Sequence, residues 1–198
     1  MFNDTQTVLR PSFHKEVKLR DKIWFTYKAR IQAHKRLEWL DFHSQLLLVW
    51  YALLGAALAV TTIKYPELLG SDTSILSAIL SIGLLGVSLA VANRDFKGRA
   101  IQMRRNYLEL QRLYNSIPAS SSDNELLQAK YDAILAECEN HTETDDRVAR
   151  AFSKGLTSRA PTWDEYLHVA FWLIKRWFFS SVLYLAPVVV AIYAWKFS

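Results

Sequence analysis

Two long stretches of this chain carry no charge at all, and they limit what it can fold into more than anything else in it. From Phe42 to Ile63 (FHSQLLLVWYALLGAALAVTTI) 22 consecutive positions are uncharged, and from Thr73 to Asn93 (TSILSAILSIGLLGVSLAVAN) 21 are. A helix rises about 1.5 Å per residue, so about 20 apolar residues cross a hydrocarbon core of about 30 Å. Between the two, KYPELLGSD contains Pro66 and Gly70, which end one helix and begin another, so the pair is predicted to be an antiparallel membrane hairpin. Two buried helices of a soluble bundle are the alternative, but such helices carry charges on one face every turn or two.

A third uncharged stretch, the 19 residues from Trp177 to Trp195, reads as another span, entered from the side that holds Lys175 and Arg176. Pro187 is expected to kink it, a feature that lipid-buried helices tolerate. The predicted fold class is an all-α membrane protein: a transmembrane helical hairpin, a third C-terminal transmembrane helix, and a cytosolic helical hairpin or coiled coil. The corresponding divisions are 1–41 (tail and basic helix), 42–93 (hairpin), 94–162 (cytosolic helices) and 163–198 (amphipathic helix and third span).

Charge is excluded from the spans and sorted outside them. The chain has 24 Lys and Arg against 19 Asp and Glu, a net charge of +5. Eight basic residues lie between Lys15 and Arg36 and five between Arg94 and Arg105, whereas the hairpin loop has only Lys64. Basic residues stay on the cytosolic side, so both long polar segments are expected there, with the N-terminus cytosolic and the C-terminus outside. The opening MFNDTQTVLRPSF has no apolar core and is not read as a signal peptide. The single cysteine, Cys138, leaves no intrachain disulfide and reads as a core residue rather than a nucleophile.

The polar segments read as helices. Residues 1–12, with Pro11, are expected to form a loose tail. From Phe13 to Asp41, Trp24, Tyr27, Ile31, Leu37 and Leu40 share a helical face with His34, and Trp39 stands where indoles favour the headgroup layer. After the second span, Phe96, Ala100, Met103, Tyr107, Leu110, Tyr114 and Ile117 alternate gaps of four and three, which is a heptad seam. Pro118 stops that helix, and Ser122 with Glu125 forms a capping box for the next. In that helix Leu127, Tyr131, Ile134 and Cys138 repeat the spacing, so it is expected to fold back on its predecessor. Residues 94–118 carry six basic and two acidic groups, and 119–146 one basic and eight acidic, as suits antiparallel neighbours of opposite sign. Glu139, Asn140, His141, Asp145 and Asp146 read as a solvated polar junction rather than a metal site. Residues 147–161 are expected to hold a short helix, broken by Gly155 and Pro161, and Thr162 to cap the next.

Within the spans two patterns are candidate functional faces. Ala52, Gly55, Ala56 and Ala59 put small residues four apart, a spacing that permits close helix contact in lipid and that an alanine-rich span also produces by chance. Ser74, Ser77, Ser81 and Ser88 share one face; such serines either bond back to their own helix or form a polar stripe toward other helices or a pore. No Gly-rich phosphate loop, His-Glu-x-x-His, Gly-x-Ser-x-Gly or Cys-x-x-Cys occurs. The expectation is therefore no catalytic site, cofactor or metal. Three other functions stand as alternatives: an anchor or scaffold for a partner enzyme, a nucleotide-gated channel effector, and nucleic-acid binding by the basic, aromatic stretch Lys15–Arg36.

The layout resembles the bacterial SLATT family in RDKIWFTYKARIQAHKRLEW before the hairpin, NRDFKGRAIQMRRNYLELQRLY after it and the ENHTETDDR junction. The added C-terminal span is similar to the branch encoded beside reverse transcriptases. The resemblance covers about residues 15–195 and implies an anti-phage effector that oligomerises or opens when triggered and damages the inner membrane. Its implied partners are the lipid bilayer, further copies of itself, and a reverse transcriptase with its RNA or cDNA product. Sensing of infection would then belong to another chain.

Overall fold

The structure is a computed structural model that describes residues 19–68, 70, 72–118, 125–153 and 160–197, the side chains of 194–197 excepted. Within them six α-helices follow one another: α1 Leu19–Lys64, α2 Thr73–Arg94, α3 Phe96–Ser116, α4 Glu125–Ala136, α5 Glu143–Phe152 and α6 Trp163–Phe197. The expected tail at 1–12, the serine of the Ser122 capping box and Gly155 lie outside the described residues.

Helix α1 carries both the basic segment and the first span without a break over 46 residues. It contains no proline and only Gly55, so nothing interrupts its hydrogen-bond ladder, and at 1.5 Å per residue it is about 69 Å long. A turn containing Gly70, at φ +101°, then reverses the chain into α2. Three helices, α1, α2 and α6, are long and apolar enough to cross a membrane.

Only Asp95 separates α2 from α3. It adopts the left-handed conformation (φ 43°, ψ 49°) and caps both helices: its N–H donates to the Ala92 carbonyl, while its carboxylate accepts from the Gly98 N–H at 3.0 Å. Asp is one of the few residues that tolerate this conformation. A Cβ on Gly98 would lie 2.2 Å from the Asp95 carboxylate, so the glycine leaves room for the cap.

From this joint α3 returns along the polar half of α1. His34 meets the Ala100 carbonyl, Arg30 meets Asn106, and Tyr27 meets Tyr114, so numbers fall on one helix as they rise on the other and the pair is antiparallel. The heptad seam is buried within the chain. Ala100, Met103, Leu110 and Ile117 are buried, and Phe96, Tyr107 and Tyr114 half-buried, in two clusters built with Ile23, Tyr27, Ala33 and Leu37 of α1. The seam's first partner is thus α1. Helix α4 folds back on α3 as expected, adding Tyr131, Leu127 and Ile134 to the first cluster, and Glu139, just past its end, pairs with Arg99 at 2.8 Å. Opposite charge is not the rule along that contact, since Glu109 also meets Glu137; burial, then that neighbour, raises the Glu109 carboxyl above its ordinary pKa. The inward stripe of α1 runs Ile23, Tyr27, Arg30, Ala33 and Leu37, about one residue round from the predicted face, because a basic side chain takes a core position.

Helix α6 runs parallel to the apolar half of α1, with Trp39 beside Arg176, His43 beside Tyr184 and Trp50 bonded at Tyr184. It continues through Pro187 as one helix. Proline has no N–H for the carbonyl four residues back, here that of Leu183, and its ring crowds the same carbonyl. In lipid an unpaired carbonyl costs several kcal/mol. The Tyr51 hydroxyl donates to the Leu183 carbonyl at 2.9 Å, and the Trp50 indole N–H donates to the adjacent Tyr184 carbonyl at 3.2 Å. The gap that Pro187 opens in α6 is closed from α1.

Tyr51→Phe is expected to lower stability by about 0.6–1.7 kcal/mol, the range for a hydrogen bond between spans. In a Pro187→Ala background the new N–H reclaims the Leu183 carbonyl, and the same substitution should cost almost nothing. Thermal unfolding of the four proteins in one detergent measures the difference; an equal cost in both backgrounds contradicts the account.

Candidate functional site

The polar chemistry of the described residues divides between a tightly packed head and spans that touch one another little. The head is centred on Arg30, which is 1% exposed. A buried guanidinium needs acceptors, and α3 and α4 provide them. Its Nη1 donates to the Asn106 side-chain oxygen and, at 3.4 Å, to the Cys138 sulfur, and Nη2 reaches the Leu135 carbonyl at 3.4 Å. Asn106 in turn donates to the Ile134 carbonyl. Ile134 and Leu135 belong to the last turn of α4, whose final carbonyls have no partner within their helix. Arg30 and Asn106 therefore cap α4, and the cation sits at the negative end of its dipole. Burial lowers the Arg30 pKa from its ordinary value, while Cys138, Tyr131 and Glu137 act to raise it. Arginine stays charged nonetheless. Burial pushes the Cys138 thiol up, with Arg30 opposing, which disfavours the thiolate a nucleophile needs.

A second tie holds α5. Asp145, read from the sequence as part of a solvated junction, is 2% exposed. Its carboxylate accepts from both the N–H and the hydroxyl of Thr142, completing a capping box, and pairs bidentately with Arg36 of α1 at 2.9 and 3.1 Å. The capping box starts α5 at Glu143, four residues before the expected 147. Thr162 begins α6 in a related way, its N–H donating to the Glu165 carboxylate at 2.9 Å. Burial lowers the pKa of His141, and its Nδ1 has no partner among the described residues.

The spans are different. Of the most apolar 18-residue window, 0% is buried in α1, 0% in the second apolar helix and 6% in α6. On α1 the half-buried residues facing the other helices include Leu47, Tyr51, Leu54, Leu58 and Thr62. The small residues Ala52, Gly55, Ala56 and Ala59 lie on an exposed side, with nothing within 4 Å of a Cβ built on Gly55. On α2, Ser77 and Ser88 are half-buried along with Leu84 and Val91, whereas Ser74 and Ser81 are exposed. Ser81 bonds back to the Ser77 carbonyl at 2.9 Å. The four serines therefore do not share one environment. Among the described residues no group of His, Cys, Asp or Glu is arranged to hold a metal.

Three features escaped the sequence reading. Arg30 and Asn106 are polar residues on faces chosen for being apolar, although Arg30, three residues after Tyr27 and four before His34, fits the stripe's spacing. The Asp95 joint was legible as an Asp three residues before a glycine in RDFKG. The answer of Trp50 and Tyr51 to Pro187 joins positions far apart in sequence and leaves no local trace.

An unbroken amphipathic-to-apolar rod, a tight helical head and three lipid-length helices define an all-helical membrane protein of the hairpin-and-head type. The chain belongs to the SMODS and SLOG-associating 2TM effector domain family, family 5, whose model matches residues 12–196. That membership makes it a membrane effector of a defence system. The matched range includes α6, so this member has a third apolar helix beside the two that the family name counts. No curated protein and no solved structure matches the chain.

Removing one partner of a buried charge costs about 3–5 kcal/mol, while replacing the whole polar group by apolar residues is often neutral. Asn106→Ala is thus expected to destabilise the head by roughly 3 kcal/mol, and Arg30→Met with Asn106→Leu to recover much of it. Denaturant unfolding followed by circular dichroism checks this, and a double variant no more stable than Asn106→Ala would refute it.

Proposed function

We propose that this chain is the membrane-damaging effector of a bacterial anti-phage system. It sits in the inner membrane with its N-terminus and head in the cytosol, and several copies assemble through the exposed sides of α1 and α2 when triggered, forming a pore or disrupting the lipid. A reverse transcriptase with its RNA or cDNA product acts upstream, and the chain itself catalyses nothing. The observation that carries this reading is the contrast between a head that buries its own seam and apolar windows of which almost none is buried. The hairpin keeps nearly its whole perimeter for lipid or further copies, and that perimeter includes the small-residue side of α1 and the exposed Ser74 and Ser81 of α2. Small residues allow close approach between spans, and serine can be buried in a closed bundle or wetted in an open one at little cost.

Orientation is tested with single cysteines in a Cys138→Ser background. A cysteine at Glu67 should react with an impermeant maleimide from the periplasm, and one at Lys97 only after the cells are permeabilised; the reverse pattern would overturn the topology.

Function is tested by inducing the chain in cells loaded with a potential-sensitive dye. Wild type should depolarise them when triggered or overproduced. Ser77→Leu with Ser81→Leu should insert normally yet depolarise several-fold less, and Ser81→Asp, a charge tolerated only beside water or a partner, should leak without a trigger. A double leucine variant as potent as wild type would remove the serine face from the mechanism, and a wild type that leaves the potential intact would make the chain a non-conducting anchor.

A further inference from the structure

Where α6 leaves the head and comes alongside α1, a cleft of about 390 Å³ opens between the two helices. It is lined at one level by Trp39, His43, Lys175 and Arg176, and at another by Leu47, Phe179 and Leu183. Trp39 lies just before the first span and Arg176 just before the third, so the polar level coincides with the water–lipid boundary on the head's side. The apolar level falls inside the hydrocarbon region.

The charge there is uncompensated. The Arg176 guanidinium lies 3.7 Å from the centre of the Trp39 ring and 5.3 Å from that of Trp172. Such stacking fixes the plane of the guanidinium and leaves its edge to donate. Its Nε and the Trp39 indole N–H are both buried with no hydrogen-bond partner among the described residues. Neither Arg176 nor Lys175 forms an ion pair among them, and the charge acting on Arg176 is the like-signed Arg36. The nearby carboxylate that could answer it, Asp145, is bound bidentately to Arg36 and to Thr142. A cation removed from water beside another cation calls for an anion.

We propose that this cleft binds one anionic phospholipid from the leaflet on the head's side, its phosphate held by Arg176, Lys175 and the Trp39 indole and its acyl chains lying along Leu47, Phe179 and Leu183. A free phosphate would satisfy the donors but not the apolar wall. Arginine and lysine at this depth are the groups that recognise anionic headgroups, and the cleft is of a size that holds small ligands. The lipid would fill the join between α1 and α6 at the level where α6 departs from the head. The inference requires only that the chain is embedded in a membrane, not that it permeabilises one.

The full-length chain in nanodiscs of four parts phosphatidylcholine to one part phosphatidylglycerol provides the test, with bound lipid counted by native mass spectrometry after release. Wild type should retain one phosphatidylglycerol in at least tenfold preference to phosphatidylcholine. Arg176→Gln should abolish that preference, whereas Arg104→Gln, which removes an exposed charge of the head, should leave it intact. If Arg176→Gln does not insert, Lys175→Gln, at an exposed position, serves in its place with an expected three- to tenfold loss. Millimolar inorganic phosphate should displace none of the lipid. Equal retention by wild type and the cleft variants, an equal loss in Arg104→Gln, or displacement by inorganic phosphate would each overturn the proposal.

Discussion

A backbone in hydrocarbon must satisfy its own hydrogen bonds, and that requirement shapes the whole molecule through α1. Once the first span is helical, nothing between it and Leu19 stops the ladder, so the same helix emerges from the lipid as the central strut of the head. Helices α2, α3, α5 and α6 all pack on it, and α4 reaches it through Thr26 and Arg30. The requirement also explains why the tolerated exception, Pro187, is matched by a donor on α1. In water the stray Leu183 carbonyl would find solvent; at that depth it finds the Tyr51 hydroxyl, while Trp50 bonds the neighbouring Tyr184 carbonyl.

The head obeys the opposite economy. Away from lipid, apolar surface has to be hidden, and the heptad seam of α3 is covered by the inward face of α1 with α4 beside it. Into that core the chain admits Arg30, in a place where the charge does structural service. Helix α4 is short, 12 residues, and its C-terminal carbonyls lack partners within the helix. Arg30 and Asn106 take them, so polar groups on two longer helices finish a third. Asp145 serves in the same double way, starting α5 and holding it to Arg36.

Much of this was legible from the order of residues, and what was not has a physical reason. Runs such as Phe42–Ile63 announce themselves because lipid forbids charge at every angle of the helix, which makes length and composition enough. The seam from Phe96 to Ile117 was equally plain, but periodicity says which face is buried and not what buries it, and α1 proved to be its main partner. Arg30 was hidden by the assumption that a basic residue points outward, and Asp145 by an unbroken polar run from Glu139 to Arg147 that looks like a solvated turn. Ser77 and Ser81 show a subtler limit. They are neighbours on one helical face, yet one is half-buried and the other open, because helix spacing alone does not locate the edge of a contact.

Of the connections between head and membrane, α1 and the α2–α3 pair are mechanically unlike. Helix α1 crosses the boundary as a continuous rod, with about 23 residues and roughly 35 Å on either side of its midpoint, whereas the return path through α2 and α3 is jointed at Asp95 alone. A rod with equal arms acts as a lever. Tilting the head by about 10° would swing the far end of the first span by about 6 Å in the opposite direction, and the joint would let α2 stay behind. Movement of the head against the membrane would thereby be converted into sliding between the two arms of the hairpin.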